Sequence, residues 1–207
     1  AQVIDEIFAG REVVADPYDD VTILFTDMKG FTAFSSRIQP SELVDFLNTM
    51  YSAFDEILDK FGLYKVEVIG DAYYVVSGCP KPRTPEKSVI NCIEAALAML
   101  RTLPRVCADP TVQIRVGIHS GDVVAGVVGV KDPRYHLFGP NVTKAMQMES
   151  HGIPGKVHIS KASVDRLKPG ASRDAYAIQS RGVDAAVPWS EETFIVAGKR
   201  KSRSGKF

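Results

Sequence analysis

The stretch Tyr64-Lys65-Val66-Glu67-Val68-Ile69-Gly70-Asp71-Ala72-Tyr73-Tyr74-Val75-Val76-Ser77-Gly78 sets two apolar, β-branched and aromatic runs on either side of Gly70-Asp71. A Gly-Asp junction between two such runs is a strong hairpin signal, because both residues tolerate the backbone angles of a tight turn. The hairpin carries a carboxylate, Asp71, at its tip, and Glu67 lies on the strand leading in. A second apolar run, Val21-Thr22-Ile23-Leu24-Phe25-Thr26-Asp27, reads as a strand buried on both faces. It too ends on a carboxylate, and Met28-Lys29-Gly30-Phe31-Thr32 follows at once. Two strand-end aspartates, one beside a glycine-containing loop, suggest a site for hard metal ions and phosphate.

Outward from the hairpin, Ala15 to Asp20 reads as a connector. The spacing of Leu43, Phe46, Leu47, Met50, Phe54, Ile57, Leu58 and Phe61 predicts a helix, opened near Pro40 and closed by Gly62. Glu86 to Leu103 gives a second amphipathic helix, with Pro104 as its stop. Val112 to His119 and Val123 to Val130 read as a strand pair turning at Ser120-Gly121-Asp122. Arg134 to Phe138 is a short strand, Asn141 to Ser150 a helix, Lys156 to Ser160 a strand, and Ala162 to Leu167 a helical turn or two. Tyr176 to Gln179 and Thr193 to Val196 are late strands. The opening order β-α-β-β-α-β predicts an α+β fold, an α/β sandwich whose ferredoxin-like βαββαβ core is extended by C-terminal strands and helices. In that topology the first strand and the hairpin lie side by side, so Asp27 and Asp71 can converge.

The bulk composition narrows the function classes. The chain has 207 residues, 45% hydrophobic and 24% charged, with 25 basic and 25 acidic side chains. That size supports one sizeable core, and the neutral balance gives no reason to expect a nucleic-acid partner. Cys79, Cys92 and Cys107 are an odd set without metal-ligand spacing, which fits core packing in a reducing compartment. No apolar run approaches the ~20 residues of a membrane-spanning helix, so no membrane insertion by this domain is expected. No signal peptide is visible. The start, Gln2 to Phe8, reads as the end of a helix, as in a domain cut from a longer protein.

The residue types leave two readings open. Two carboxylates on adjoining strand ends suit Mg²⁺, which takes a few carboxylates together with substrate phosphates. The plainer reading is a turn aspartate at Asp71 and a strand-terminating aspartate at Asp27. Arg115 reads either as a phosphate contact or as a strand-face arginine paired with a neighbouring acid. The amides around Gly30, Phe31 and Thr32 can cradle phosphate, although one glycine in a loop is a weak signal.

Four segments, taken in order and with their spacing, resemble the class III nucleotidyl cyclase catalytic domain: Phe25-Thr26-Asp27-Met28-Lys29-Gly30-Phe31-Thr32, Lys65 through Tyr73, Arg115-Val116-Gly117-Ile118-His119-Ser120-Gly121, and Pro133-Arg134-Tyr135-His136-Leu137-Phe138-Gly139. Within that class the chain is most similar to eukaryotic guanylyl cyclases. The resemblance implies the class III cyclase fold, conversion of GTP to cyclic GMP and pyrophosphate, and two Mg²⁺ or Mn²⁺ ions per site. It also implies head-to-tail dimers with each active site built from both subunits, in a domain that faces the cytosol. Asp27 and Asp71 then match the two metal-binding aspartates and catalyse through those ions, with the Met28 carbonyl as a backbone ligand. Gly30, Phe31, Thr32 and Arg115 match phosphate-binding positions, and Glu67 matches the guanine-reading glutamate. The implied organisation is 1–17 as upstream helix end and linker, 18–198 as the catalytic domain, and 199–207 as a basic, disordered tail.

Three departures from the family pattern bear on activity. His136 stands where guanylyl cyclases usually have cysteine; a histidine there either donates to guanine O6 or no longer touches the base. Thr143 and Gln147 occupy the positions of the asparagine and arginine that stabilise the transition-state phosphate. Asn141 cannot replace the asparagine, because residues two apart on a helix face different ways. The tail also lacks the lysine-rich segment that brings a further phosphate-binding lysine. Metal aspartates kept and the asparagine-arginine pair lost resemble the α-type subunit of heterodimeric guanylyl cyclases. The expectation is therefore a metal-binding half that works with a second cyclase domain. A non-catalytic, nucleotide-binding regulatory domain is the alternative, as is a weakly active homodimer using GTP or, less favoured, ATP.

Overall fold

A computed structural model of the chain describes residues 15–129, 131, 133–183 and 190–200. The helix end expected in residues 2–8 and the tail residues 201–207 lie outside the described residues. The elements run β1 (Asp16–Lys29), α1 (Phe31–Ser35), α2 (Pro40–Phe61), β2 (Tyr64–Ile69), β3 (Ala72–Ser77), α3 (Pro85–Val106), β4 (Gln113–Val128), β5 (Arg134–Phe138), α4 (Pro140–Ser150), β6 (Val157–Ser160), α5 (Lys161–Val164), β7 (Tyr176–Val183) and β8 (Glu192–Lys199). The strands form one mixed sheet in the order β2-β3-β1-β4-β6-β8-β7, with β5 on β4. Its first four strands have the ferredoxin-like arrangement, and among the described residues only β4 and β6 pair in parallel.

Alternation along the central strands fills two cores. Leu24 and Met28 of β1, Tyr73 and Val75 of β3, and Ile114, Val116 and Ile118 of β4 meet Met50, Phe54 and Leu58 of α2 and the apolar stripe of α3. Ile23 and Phe25, Tyr74 and Val76, and Val123 and Ala125 point the other way, where they pack with Leu137 of β5 and Ala145 of α4. Phe25 and Tyr74 stack there with ring centroids 4.4 Å apart. Asp27 follows Ile23 and Phe25 in phase, so it emerges on the face bearing α4.

Three local expectations are corrected. Asp16 to Asp20 are strand rather than connector: β1 pairs with β4 from Asp16, with a register shift between Tyr18 and Val21 and a positive φ of 59° at Asp20. Val112 to Val128 do not fold back at Ser120-Gly121-Asp122. β4 is one 16-residue strand, paired with β1 from Gln113 to Ala125. Gly121 is needed for a different reason, since a Cβ there would stand 2.5 Å from the Asn141 side chain. Pro104 does not stop α3, which runs on to Val106. A proline removes one donor, the partner of the Leu100 carbonyl, and the next turn survives through the Cys107 amide bond to Leu103 at 2.8 Å. Leu103 and Cys107 are both buried, so packing outweighs that loss.

Candidate active site

β1 and β4 put Asp27 and Arg115 directly opposite each other in register. The Arg115 Nη2 donates to Asp27 Oδ2 at 2.5 Å, and its Nη1 donates to the Ser150 carbonyl at 3.4 Å. The Arg115 Nε lies 3.0 Å from Glu149 Oε1. Both of those atoms are buried and neither makes a hydrogen bond, so the contact is an ionic approach without donor–acceptor alignment. Side-chain exposure is 31% for Asp27 and 28% for Arg115, against 10% for Glu149. Asp27 and Arg115 are therefore reachable from solvent, and Glu149 stands behind them. Burial pushes the Glu149 carboxyl up to about 7, and the Arg115 guanidinium opposes that only in part.

The β2–β3 hairpin forms as its sequence predicts, with Gly70 at φ 60°. Asp71 at the tip accepts a hydrogen bond from the Met28 amide at 3.2 Å. The Tyr51 hydroxyl, on α2, donates to the Gly70 carbonyl and fixes the tip from the helix side. Burial raises the Asp71 carboxyl above the usual range; the Asp27 charge adds to this, while backbone amides and Arg115 act against it. The two aspartates therefore converge closely enough to feel each other's charge, and the Met28 backbone lies between them.

That donor set fits a hard divalent cation. Two mutually repelling carboxylates supply oxygen ligands, and Mg²⁺ commonly takes few protein ligands and leaves places for substrate phosphate. Among the described residues there is no cluster of three or more histidine, cysteine or acidic ligands. Next to the aspartates, Gly30 adopts φ 87° and opens α1. A Cβ there would come within 2.5 Å of the Thr111 carbonyl oxygen, so glycine is required both by the turn and by the close approach. Phe31 packs on the core, whereas Thr32 is exposed.

The remaining expected positions gather elsewhere. Glu67 on β2 faces β5, where Arg134 Nη1 reaches its Oε1 at 3.2 Å. His136, two residues along β5, pairs with Gly126 in register and meets the Phe138 ring edge-on at 6.4 Å. Thr143 and Gln147 lie four apart on α4, Thr143 exposed and Gln147 half-buried. Asn141 is committed to structure: its Oδ1 lies 3.0 Å from His119 Nε2 and its Nδ2 donates to the Asp122 carbonyl at 2.8 Å. A cavity of about 260 Å³ opens at the far end of the hairpin, between Gly62, Tyr64, Cys79 and Arg83, and involves neither aspartate.

Sequence reasoning missed Glu149 and Tyr51. Glu149 follows the buried Ala145 by one helical turn, and an acid on a buried stripe is the signal that marks it. Tyr51 carries no such signal, because its neighbours on α2 make an ordinary core stripe.

Residues 13–197 match the family described as adenylate and guanylate cyclase catalytic domain. Receptor-type guanylate cyclase gcy-28 of Caenorhabditis elegans is 46% identical over 169 residues, which are 80% of this chain and 13% of that protein. Atrial natriuretic peptide receptor 2 of Homo sapiens is 39% identical over 208 residues, 98% of this chain and 20% of the receptor. The chain thus spans no more than a fifth of the length of these relatives. Among solved structures, the guanylate cyclase domain of RhGC from Catenaria anguillulae in complex with GTP superposes with a TM-score of 0.81 at 30% identity, covering 90% of this chain and all of that one. The adenylyl cyclase CyaB from P. aeruginosa has the same fold, with a TM-score of 0.82 at 22% identity over 92% of this chain and 98% of its own. The chain belongs to the adenylate and guanylate cyclase catalytic domain family and has the α+β fold of the class III cyclases.

Proposed function

We propose that this chain is a guanylyl cyclase catalytic domain that converts GTP to cyclic GMP and pyrophosphate as the metal-binding half of a dimer. The observation that carries the reading is the convergence of Asp27, Asp71 and Arg115 at one sheet end. Thr143 and Gln147 on α4, which match the family's transition-state positions by resemblance, support the division of labour. In the reaction the ribose 3′-oxygen forms a bond to the α-phosphorus, the bond from that phosphorus to the bridging oxygen breaks, and pyrophosphate leaves. Asp27, Asp71 and the Met28 carbonyl would hold two Mg²⁺ or Mn²⁺ ions. Bound there, the ions supply Lewis-acid stabilisation of the attacking oxygen and of the triphosphate charge. Arg115 contributes a fixed positive charge to the phosphates, and the backbone from Gly30 to Thr32 adds N–H donors at the start of α1.

The division of labour follows from what α4 lacks. Losing one preorganised electrostatic donor typically costs about a hundred- to a thousandfold in rate. Two absent from one site leave it nearly silent, so a second cyclase domain supplies the asparagine and arginine. In such a heterodimer Glu67 and His136 line the degenerate second site; in a homodimer they read the base. The receptor-type guanylate cyclase relative and the GTP-bound neighbour support GTP as substrate. A regulatory reading, in which the domain binds nucleotide without turning it over, draws on the same Thr143 and Gln147.

Cyclic GMP and cyclic AMP formation by this chain, separately and mixed with a guanylyl cyclase chain carrying the asparagine-arginine pair, tests the proposal. Cyclic GMP above the sum of the separate chains, and lost with Asp27→Ala, is the expected result. Cyclic AMP as the main product, or pairing without any gain, overturns it.

A further inference from the structure

Arg115 stands between two carboxylates and is hydrogen-bonded to one of them. Its Nη2 is seated on Asp27 at 2.5 Å, while its Nε lies 3.0 Å from Glu149 without a hydrogen bond. The buried Nε and Glu149 Oε1 already form an ion pair that is short of hydrogen-bond alignment, and a small rotation of the guanidinium would complete that alignment. Both contacts draw on the one guanidinium, so tightening it on Glu149 competes with its seat on Asp27. Asp27 is thus held by a cation that has a second, deeper seat available, and Glu149 provides it. The seat is rigid: Gly117 lies so close beneath α4 that a Cβ there would stand 2.0 Å from the Glu149 amide, and the Glu149 carbonyl accepts from the Gly152 amide at 2.7 Å.

We propose that Glu149 is a positioning residue that shares Arg115 with Asp27, so that the guanidinium moves from the Asp27 carboxylate to Glu149 when a divalent cation takes Asp27. The proposal rests on the reading of Asp27 as a metal ligand. Arg115 and the metal ion compete for one carboxylate, and Glu149 lowers the cost of that exchange by receiving the arginine. The arginine then stays beside the site with its direction set by Glu149, instead of being expelled into solvent. Glu149 acts only through Arg115; its role is to set how tightly Asp27 is held.

Mn²⁺ affinity of the 207-residue chain, measured by electron paramagnetic resonance of the free ion, reads this directly and needs no turnover. Glu149→Gln leaves Arg115 with Asp27 as its charged partner, so Mn²⁺ binding weakens by about fivefold, the scale of one partly exposed ion pair. Arg115→Ala frees Asp27 and tightens binding by a similar factor. Combining the two gives the affinity of Arg115→Ala, because nothing remains for Glu149 to receive. An equal weakening by Glu149→Gln with and without Arg115 shows a through-space charge effect and overturns the sharing. The Arg115 Nε–H nitrogen resonance supplies a second readout on the unmodified chain. It shifts and becomes protected from exchange as Mg²⁺ is added; an unchanged signal at saturating Mg²⁺ overturns the proposal. Mn²⁺ binding that survives Asp27→Asn removes the metal-site reading itself. Binding lost in Asp27→Asn but unaltered in Glu149→Gln removes only the sharing.

Discussion

The Met28 amide donates to the Asp71 carboxylate at 3.2 Å, joining the end of β1 to the tip of the β2–β3 hairpin. The same carboxylate is thus a structural acceptor as well as the metal ligand of the proposed function, and the two roles separate by substitution. Asp71→Asn keeps an acceptor oxygen and removes the charge, whereas Asp71→Ala removes both. Denaturant midpoints are expected to show about 1 kcal/mol lost for Asp71→Ala and little change for Asp71→Asn. Mn²⁺ binding is lost in both. Equal destabilisation by the two variants would show that the hydrogen bond contributes nothing.

His119 gives a pH dependence whose sign is fixed by its surroundings. Its ring is buried between Asn141 Oδ1 at 3.0 Å and Ser160 Oγ at 2.8 Å. Burial lowers its pKa below the ordinary 6.5, the Asn141 bond acts against this, and Lys144 and Arg166 add to the lowering. The unfolded chain therefore binds the proton first as pH falls through 6.5, and the stability contributed above that pH is lost below it. Thermal melting of wild type and His119→Gln between pH 7.5 and 5.5 is expected to show a gap that narrows with acidification. A constant gap contradicts the buried neutral imidazole.

Gly117 is the close-approach point of β4 and α4. Gly117→Ala drives a Cβ into the Glu149 and Met148 backbone, which a side-chain rotation cannot relieve. A loss of about 2 kcal/mol in urea unfolding is expected, as for overpacking in a tight core. A neutral result would mean that α4 is free to move off the sheet.

Thr143 and Gln147 are solvent-facing enough to be exchanged without disturbing the core, since Ala145, Met148 and Glu149 carry the packing of α4. Thr143→Asn combined with Gln147→Arg is expected to raise cyclic GMP formation by this chain at least about a hundredfold, the value of one restored donor. Initial rates at saturating GTP check this. No gain, with dimers present, would place the block elsewhere.

Much of the fold was legible because local and tertiary signals agreed. The Gly70-Asp71 turn, the α2 stripe from Leu43 to Phe61 and the doubly buried β1 each formed where their patterns said. Asp16 to Asp20 were missed because their strand is made by pairing with β4 and not by a local pattern. The other two failures share one cause, in that residues that break structure locally were held by packing. Gly121 looked like a turn but serves the Asn141 contact, and Pro104 looked like a stop but sits between buried Leu103 and Cys107. The convergence of Asp27 and Asp71 was legible because both stand at the ends of strands that lie side by side in the sheet. Arg115 was left between phosphate contact and acid partner; the fold identifies the acids beside it as Asp27 and Glu149, and its phosphate role stays part of the proposal. Glu149 was invisible as part of the site because its link to Arg115 depends on α4 lying across β4, a long-range relation that no local pattern carries.

The central claim is that this chain brings metal-binding carboxylates to a site completed by a partner. Mixing it with a guanylyl cyclase chain that keeps its asparagine and arginine but has its own two metal aspartates changed to asparagine tests that claim most directly. The account predicts cyclic GMP from the mixture, almost none from either chain separately, and loss of the signal with Asp27→Asn. Strong turnover by this chain without a partner, or a mixture that pairs and stays inactive, would contradict it.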